Sequence, residues 1–571
     1  MEAFGADDPP SDVRIRLNEM GETGPDGRFG VMTHFAQGWN PDWSKLLKEG
    51  GIPQVRDEVY WKEVEAAKGV FKFPTAYDSY LAVLKQNQVA PLIILSFENP
   101  FYDGGNTPYT KEGFDGYARY AVEVLRHYGT QVKAVEIWNE YNGSFNHGPA
   151  AANRAATYVA MLRTAYAAIK QERPDVTVVG GATAGVPLPY WEKILAGGGL
   201  DFMDALSVHP YRYGSPPEGI EDDIAGLQRL VLQYNHGQAK PVWVTEIGWY
   251  LKASKAPGDL LIDEAVQAKF LVRAYALLFS ANVQHVYWYL LRDYQGMTMG
   301  LVHEDAARTR KPAFDALATL IKELPDATFV RREKTADDLY SLLFVRATGE
   351  ELRILWSLTP RQLPRAGAAT AVTIEGKPMA LGGSFNLSDS PLFVTGPFRG
   401  LPPAPPQATV IADAQRDFGA SPNNGWSYGV FAGDNTPFAP LPTYALTDWK
   451  AEWTGVFSYI SITAADQHPS SVNNLPVAAV RRWRSNYKGR VRVTGSFRCG
   501  TDGDGVGVGF AVDGARRFRT LLGGGAAVVR TFDLVETVQP GTTFDFVVDP
   551  GPAVNINFDA TAVTIVIHAE P

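Results

Sequence analysis

Two stretches end an apolar run on a carboxyl group: "VKAVEIWNE", which closes on Glu140, and "PVWVTEIGW", which holds Glu246. A glutamate is almost never fully buried without a partner, and both sit among aromatic and β-branched residues sheltered from bulk water. Two carboxyl groups across one pocket mouth suit cleavage of a glycosidic bond. One protonates the leaving oxygen while the other attacks the anomeric carbon or activates water. The two must differ in protonation, and apolar neighbours such as Trp138 and Trp249 can help separate them. The plainer alternative is that each glutamate caps the loop it begins. For either alone that reading would stand, but two in matching settings favour chemistry.

Further side chains fall at run ends. Arg56, in "PQVRDEVYW", is placed to hold a carboxylate ionised, or to form a salt bridge inside the fold. His34 and His209 are sugar contacts or satisfied core histidines. Trp288, in "HVYWYLLRD", offers an apolar face as a platform for a sugar ring. Tyr102, Tyr141, Phe145 and Trp249 read equally as sugar-stacking or loop-packing residues. No His/Cys cluster has metal-ligand spacing, and no G-x-S-x-G elbow marks a serine nucleophile. No cofactor is expected.

These residues need a frame that brings distant run ends together. Eight nearly continuous apolar runs, at 30–35, 53–61, 90–97, 132–140, 176–183, 205–212, 241–249 and 285–293, alternate with amphipathic segments. Strands buried on both faces read this way. Eight strand–helix units within about 300 residues predict a (β/α)8 barrel, whose chemistry sits at the C-terminal strand ends. A doubly wound open sheet is the alternative, but the glycine-rich phosphate turn and the Walker motif are both absent.

Beyond the barrel, at 28–325, the texture turns to period-two alternation. Residues 326–400 read as a small β-sandwich, 401–407 as a Pro-rich linker, and 408–571 as an all-β, jelly-roll-like unit resembling a carbohydrate-binding module. The segment 1–27 contains "DVRIRLNEM", a strand that could join one of the β-domains. "DGDG" at 502–505 has a faint calcium-loop look, but too few following ligands fit a helix–loop–helix site, and a hairpin turn is the better reading.

The chain has 571 residues, 45% hydrophobic and 20% charged, with a net charge of −9. That balance is globular and argues against nucleic acid as a main partner. No run of eighteen apolar residues exists to span a membrane. The single cysteine, Cys499, rules out an intrachain disulfide. The start "MEAFGADDPP" shows no signal-peptide pattern, so a periplasmic or extracellular location carries the expectation that a leader has been removed.

"WNE" at 138–140 and "TEIGW" at 245–249 resemble the motifs of the clan A retaining (β/α)8 glycoside hydrolases. "VRDEVYWKEVEAAKGVFKF" (55–73) resembles the second-strand region of family 39 and of bacterial exopolysaccharide endoglycosidases of the PslG type. The likeness covers roughly 28–325. It implies Glu140 as acid/base, Glu246 as nucleophile, Asn139 as donor to the substrate 2-hydroxyl, and Tyr211 as donor to the nucleophile. The expected activity is retaining, endo-acting hydrolysis of a β-linked extracellular polysaccharide. An exo-acting β-glycosidase and a non-catalytic sugar-binding scaffold are the alternatives. Oligomeric state is open.

Overall fold

The structure is a computed structural model. It describes residues 27–570 except 253–259, 334–335, 337, 365–366, 402–408, 422–423, 434–435, 449, 500–503 and 524–527. The strand expected at 12–20 and all but the first residue of the expected linker therefore lie outside the described residues.

Eight strands close into a parallel barrel: β1 Phe29–Met32, β2 Gln54–Tyr60, β3 Ala90–Ser96, β4 Ala134–Ile137, β5 Thr177–Ala184, β6 Ala205–His209, β7 Val242–Ile247 and β8 His285–Trp288. Each pairs with its neighbours in chain order, and β1 pairs with β8 to close the ring. Eight helices surround it: α1 Ser44–Glu49, α2 Thr75–Gln86, α3 Lys111–Tyr128, α4 Arg154–Glu172, α5 Leu188–Ala196, α6 Ile220–Tyr234, α7 Glu264–Ser280 and α8 Pro312–Glu323. The expected (β/α)8 barrel is thus present.

Outward-pointing Val55, Val59, Val135, Ile137, Val208 and Val244 are all fully buried, because helices cover the outer face. Inside, Leu92, Ala134, Val179, Ala205, Trp243 and Tyr287 form an apolar plug. Counting by twos along the strands from Ala134, Ala205 and Trp243 reaches Glu136, Ser207 and Thr245. The polar residues therefore form a layer above it, toward the C-terminal mouth.

Two irregularities re-aim backbone at that mouth, as bulges do. Between β7 and β8, Val244 pairs with Val286 but Ile247 with Trp288, one extra residue in β7 just where Glu246 lies. Between β5 and β6, Gly180 pairs with Leu206 but Thr183 with Val208. Within this second shift Gly181 has φ +111°, and a Cβ there would stand 2.4 Å from the Trp191 ring. Only glycine fits.

Residues 328–395 form a six-stranded antiparallel sheet and a two-stranded ribbon. Leu342, Phe344, Leu352, Ile354, Trp356 and Phe393 from this segment are continuous with the apolar core around the barrel. Polar ties run alongside. Arg28 donates to the Ala327 and Leu324 carbonyls at 2.8 and 2.7 Å, and Trp356 donates to Glu218 at 3.0 Å. Barrel and sandwich are one compact unit.

The other unit, described from residue 409 onward, is all-β. Two antiparallel sheets of eight and seven strands enclose Trp483, Phe497, Phe510, Phe544, Phe546 and Ile565. No helix among the described residues is long and apolar enough to cross a membrane.

Candidate active site

Glu140 follows β4 by three residues. Trp138 and Glu140 both adopt left-handed backbone, φ 68° and 44°, a conformation costing about 1–3 kcal/mol for a non-glycine residue. Surrounding bonds hold it there. The Glu140 N–H donates to the Ala182 carbonyl at 2.8 Å, within the β5 bulge, and Gly143 N–H donates back to the Glu140 carbonyl at 2.7 Å. The Asn142 side chain bridges to Ala184 through both its amide groups. Glu140 is thereby turned into the barrel mouth.

Glu246 arrives from β7. A carboxylate oxygen of Glu140, one of Glu246 and a ring nitrogen of His209 all lie within 4.8 Å of one another. The separation is on the short side of the two carboxylate geometries used for glycoside hydrolysis, about 5–5.5 Å for retention against about 6.5–9.5 Å for inversion.

The two carboxylates have different partners. Glu246 Oε1 accepts from Arg56 Nη1 at 2.5 Å and its Oε2 accepts from the Tyr211 hydroxyl at 2.7 Å. Glu140 Oε1 lies 3.0 Å from His209 Nδ1, and His209 Nε2 lies 3.1 Å from Thr245 Oγ1. Burial pushes the Glu140 carboxyl up, but the His209 hydrogen bond and charge, with Arg56 behind them, outweigh it and hold the group below its ordinary value.

Arg56 is fully buried and central. Its Nε donates to Glu136 Oε2 at 2.6 Å and its Nη2 to Asn139 Oδ1 at 2.7 Å, besides the bond to Glu246. Burial disfavours its charge, yet Glu136 and Glu246 together hold it above its ordinary value. The bond to Asn139 Oδ1 fixes the amide so that its NH2 remains as a donor toward the cleft. Burial and then the Glu246 charge push the Tyr211 hydroxyl well up, so it stays a proton-bearing donor.

The cleft above this pair encloses about 480 Å³. Met32, Ile94 and Met299 supply apolar lining; Tyr60, Phe97, Phe145, Tyr213, Tyr250, Tyr289 and Tyr294 supply rings; His34, Gln37 and Glu58 add polar groups. Phe97 and Phe145 stack at 5.2 Å with 4° between their planes, and Tyr211 stacks on Tyr213 at 4.8 Å. Glu58 Oε1 accepts from Gln37 at 3.1 Å and stands 3.4 Å from His34 Nδ1.

Of the residues singled out in the sequence, Glu140, Glu246, Asn139, Arg56, His34, Tyr211 and Phe145 line this cleft, and His209 stands directly behind the carboxylates. The Trp288 platform needs correction, and of the aromatics read evenly as stacking or packing, Trp249 and Tyr141 pack. Trp288, Trp249, Trp138 and Tyr141 are each 0% exposed and line no part of it. The Trp288 indole donates to the Met299 carbonyl, Trp249 to the Arg212 and Ser215 carbonyls, and Trp138 to Phe145. Tyr141 packs on Trp138 and Tyr158, and Tyr102 packs on Trp61 and bonds Glu65. They build the walls behind the loops.

Reading by type missed Tyr289, Tyr213, Tyr250, Tyr294, Tyr60, Phe97, Gln37 and Glu58. For Tyr289 a signal existed: Tyr287 points inward, so alternation sends Trp288 outward and Tyr289 inward. Glu58 is likewise two residues beyond inward Arg56.

Among the described residues Glu140, His209 and Glu246 are the one trio with metal-ligand spacing. Arg56 already brings a positive charge to Glu246 Oε1, so a metal ion there would compete with a buried guanidinium.

The chain matches no protein-family model and no curated protein. Among solved structures it is similar to a family 39 glycoside hydrolase from the gut symbiont Bacteroides cellulosilyticus WH2. That likeness has 22% identity and TM-score 0.56, over 65% of this chain and 81% of the other. A GH39 beta-xylosidase from Caulobacter crescentus aligns at 18% identity over 66% and 98% of the two chains, with TM-score 0.46. The GH39 enzyme from Xanthomonas axonopodis pv. citri aligns at 14% over 92% and 95%, with TM-score 0.43. At its identity the first likeness establishes a shared fold. The chemistry rests on the site.

Proposed function

We propose that this chain is a retaining glycoside hydrolase that cleaves β-linked polysaccharide by double displacement. The carrying observation is the close approach of two carboxylates whose partners differ, Glu246 between Arg56 and Tyr211, Glu140 against His209. Arg56 and Tyr211 donate to the two oxygens of Glu246 and fix its position, so Glu246 is the nucleophile. Glu140, whose other oxygen is free of that clamp, protonates the leaving oxygen and later deprotonates the attacking water. The Asn139 NH2 meets the sugar 2-hydroxyl. Family 39 resemblance in the sequence and the shared barrel fold support the same reading.

The substrate we assign is an extracellular polymer cut internally. Rings on both flanks of the carboxylates, Phe97 with Phe145 and Tyr211 with Tyr213, suit sugar units on either side of the scissile bond. Such a polymer puts the enzyme in the periplasm or outside the cell, and the C-terminal β-unit is assigned as its sugar-binding module. The deciding experiment is product analysis on a panel of defined β-linked polysaccharides, with the anomer followed by NMR from the first minutes. Internal cleavage with retained configuration is expected. Inverted product, or no turnover on any glycoside, would overturn the assignment.

A further inference from the structure

Asp559 stands two residues before the last strand, Thr561–Ala569, and is 1% exposed. Neither of its carboxylate oxygens has a hydrogen-bond partner. Its main-chain carbonyl is occupied by the Thr561 hydroxyl at 3.1 Å, so the side chain alone is left over. Burial, then the charges of Asp504 and Asp549, push its carboxyl up to about 7. Arg519, the cation at hand, is already engaged by Asp549 through both carboxylate oxygens at 2.9 Å.

The surrounding backbone is tied together. Asp504 accepts from the Asn555 amide at 3.1 Å, and Asn555 Oδ1 accepts from the Asn557 main chain and side chain at 3.1 and 2.9 Å. A Cβ on Gly551 would stand 2.8 Å from the Gly505 carbonyl oxygen, so the two segments meet at main-chain distance. A proton on Asp559 would remove its charge, but would leave a buried hydroxyl donor without an acceptor. An ion satisfies both oxygens at once.

We propose that Asp504 and Asp559 hold a divalent cation that joins the 504–507 and 549–559 segments of the C-terminal unit. Every candidate donor is oxygen, carboxylate, amide or main-chain carbonyl, and that hard, irregular set suits calcium, with water completing six to eight ligands. Asp549 is held by Arg519 and is not among the proposed ligands.

The test uses the full-length protein stripped with EDTA and titrated with calcium chloride by calorimetry, with thermal unfolding followed in parallel. One calcium per chain is expected, with a rise in Tm that EDTA reverses. Asp559→Asn should abolish the binding heat. Asp504→Asn, at an exposed position, should weaken binding at least tenfold and keeps the test open if the first variant fails to fold. Glu246→Ala should bind calcium as the unaltered chain does. Absence of heat and Tm shift would overturn the proposal, as would unweakened binding in Asp504→Asn or loss of binding in Glu246→Ala, which would place the ion among the barrel carboxylates.

Discussion

His209 Nδ1 lies 3.0 Å from Glu140 Oε1, and of the two residues the histidine is the one fully enclosed. In the proposed mechanism Glu140 gives up a proton in the first step, yet its neighbour His209 favours the ionised form. Glu140 is held below its ordinary value in the free site. Since the proposed role needs it protonated, kcat/KM on an unactivated glycoside should fall about tenfold per pH unit above that value. His209→Asn removes the main lowering influence, so the basic limb should move to higher pH. A limb that stays put, or moves down, in a variant with unchanged circular dichroism would contradict this.

The two glutamates should fail differently. Glu246→Ala should form no covalent intermediate on any substrate. Glu140→Ala should keep a near-normal first step with an activated aryl glycoside and stall at deglycosylation, with about 10²–10⁴-fold loss on natural polymer. Azide should yield the β-azide in Glu140→Ala and the α-azide in Glu246→Ala. Identical anomers from both variants would reverse or void the roles.

Arg56→Lys tests the guanidinium that joins Glu136, Asn139 and Glu246. A lysine point charge cannot reproduce the planar fork, and one buried carboxylate is left uncompensated, worth about 3–5 kcal/mol. Urea unfolding should show that loss, together with at least a 10²-fold drop in kcat/KM. Unchanged stability would mean that water or rearrangement replaces the fork.

Tyr289→Ala and Trp288→Ala separate cleft from wall. Tyr289→Ala should raise KM with a small change in Tm, because its ring lines the cleft. Trp288→Ala should cost about 3–5 kcal/mol of stability through the cavity it leaves. If the Trp288 variant proved stable and weak-binding, the tryptophan would be a sugar platform after all.

Because the chain divides into two compact units, a polypeptide ended at Leu401 should still hydrolyse soluble oligosaccharides and bind insoluble polymer less well. Equal retention of both forms in a pull-down with insoluble polymer would remove the sugar-binding role from the C-terminal unit.

The glutamates were legible because each closes a long apolar run, and strand ends in a barrel share one mouth. Arg56 followed from the same placement, and Tyr211 from the resemblance to the clan A motifs. The aromatics were not legible by type, since Trp288 and Tyr289 are adjacent and equally suited to sugar, and only their phase relative to Tyr287 separates them. Bulges make even that phase unsafe: Thr245 and Glu246 are consecutive, yet one bonds His209 and the other faces the cleft. The sandwich at 326–400 read as a separate body because its period-two pattern contains no information about what its outer face meets.

That outer face has a consequence for synthesis. The last barrel strand ends at Trp288, yet Phe393 belongs to the same apolar core. On the ribosome, the ring can close while a flank of its helices still faces water, until about a hundred further residues have emerged. At roughly 5–20 residues per second, that leaves an exposed flank for several seconds in every nascent chain, a window for a holdase chaperone that a self-contained barrel would not open.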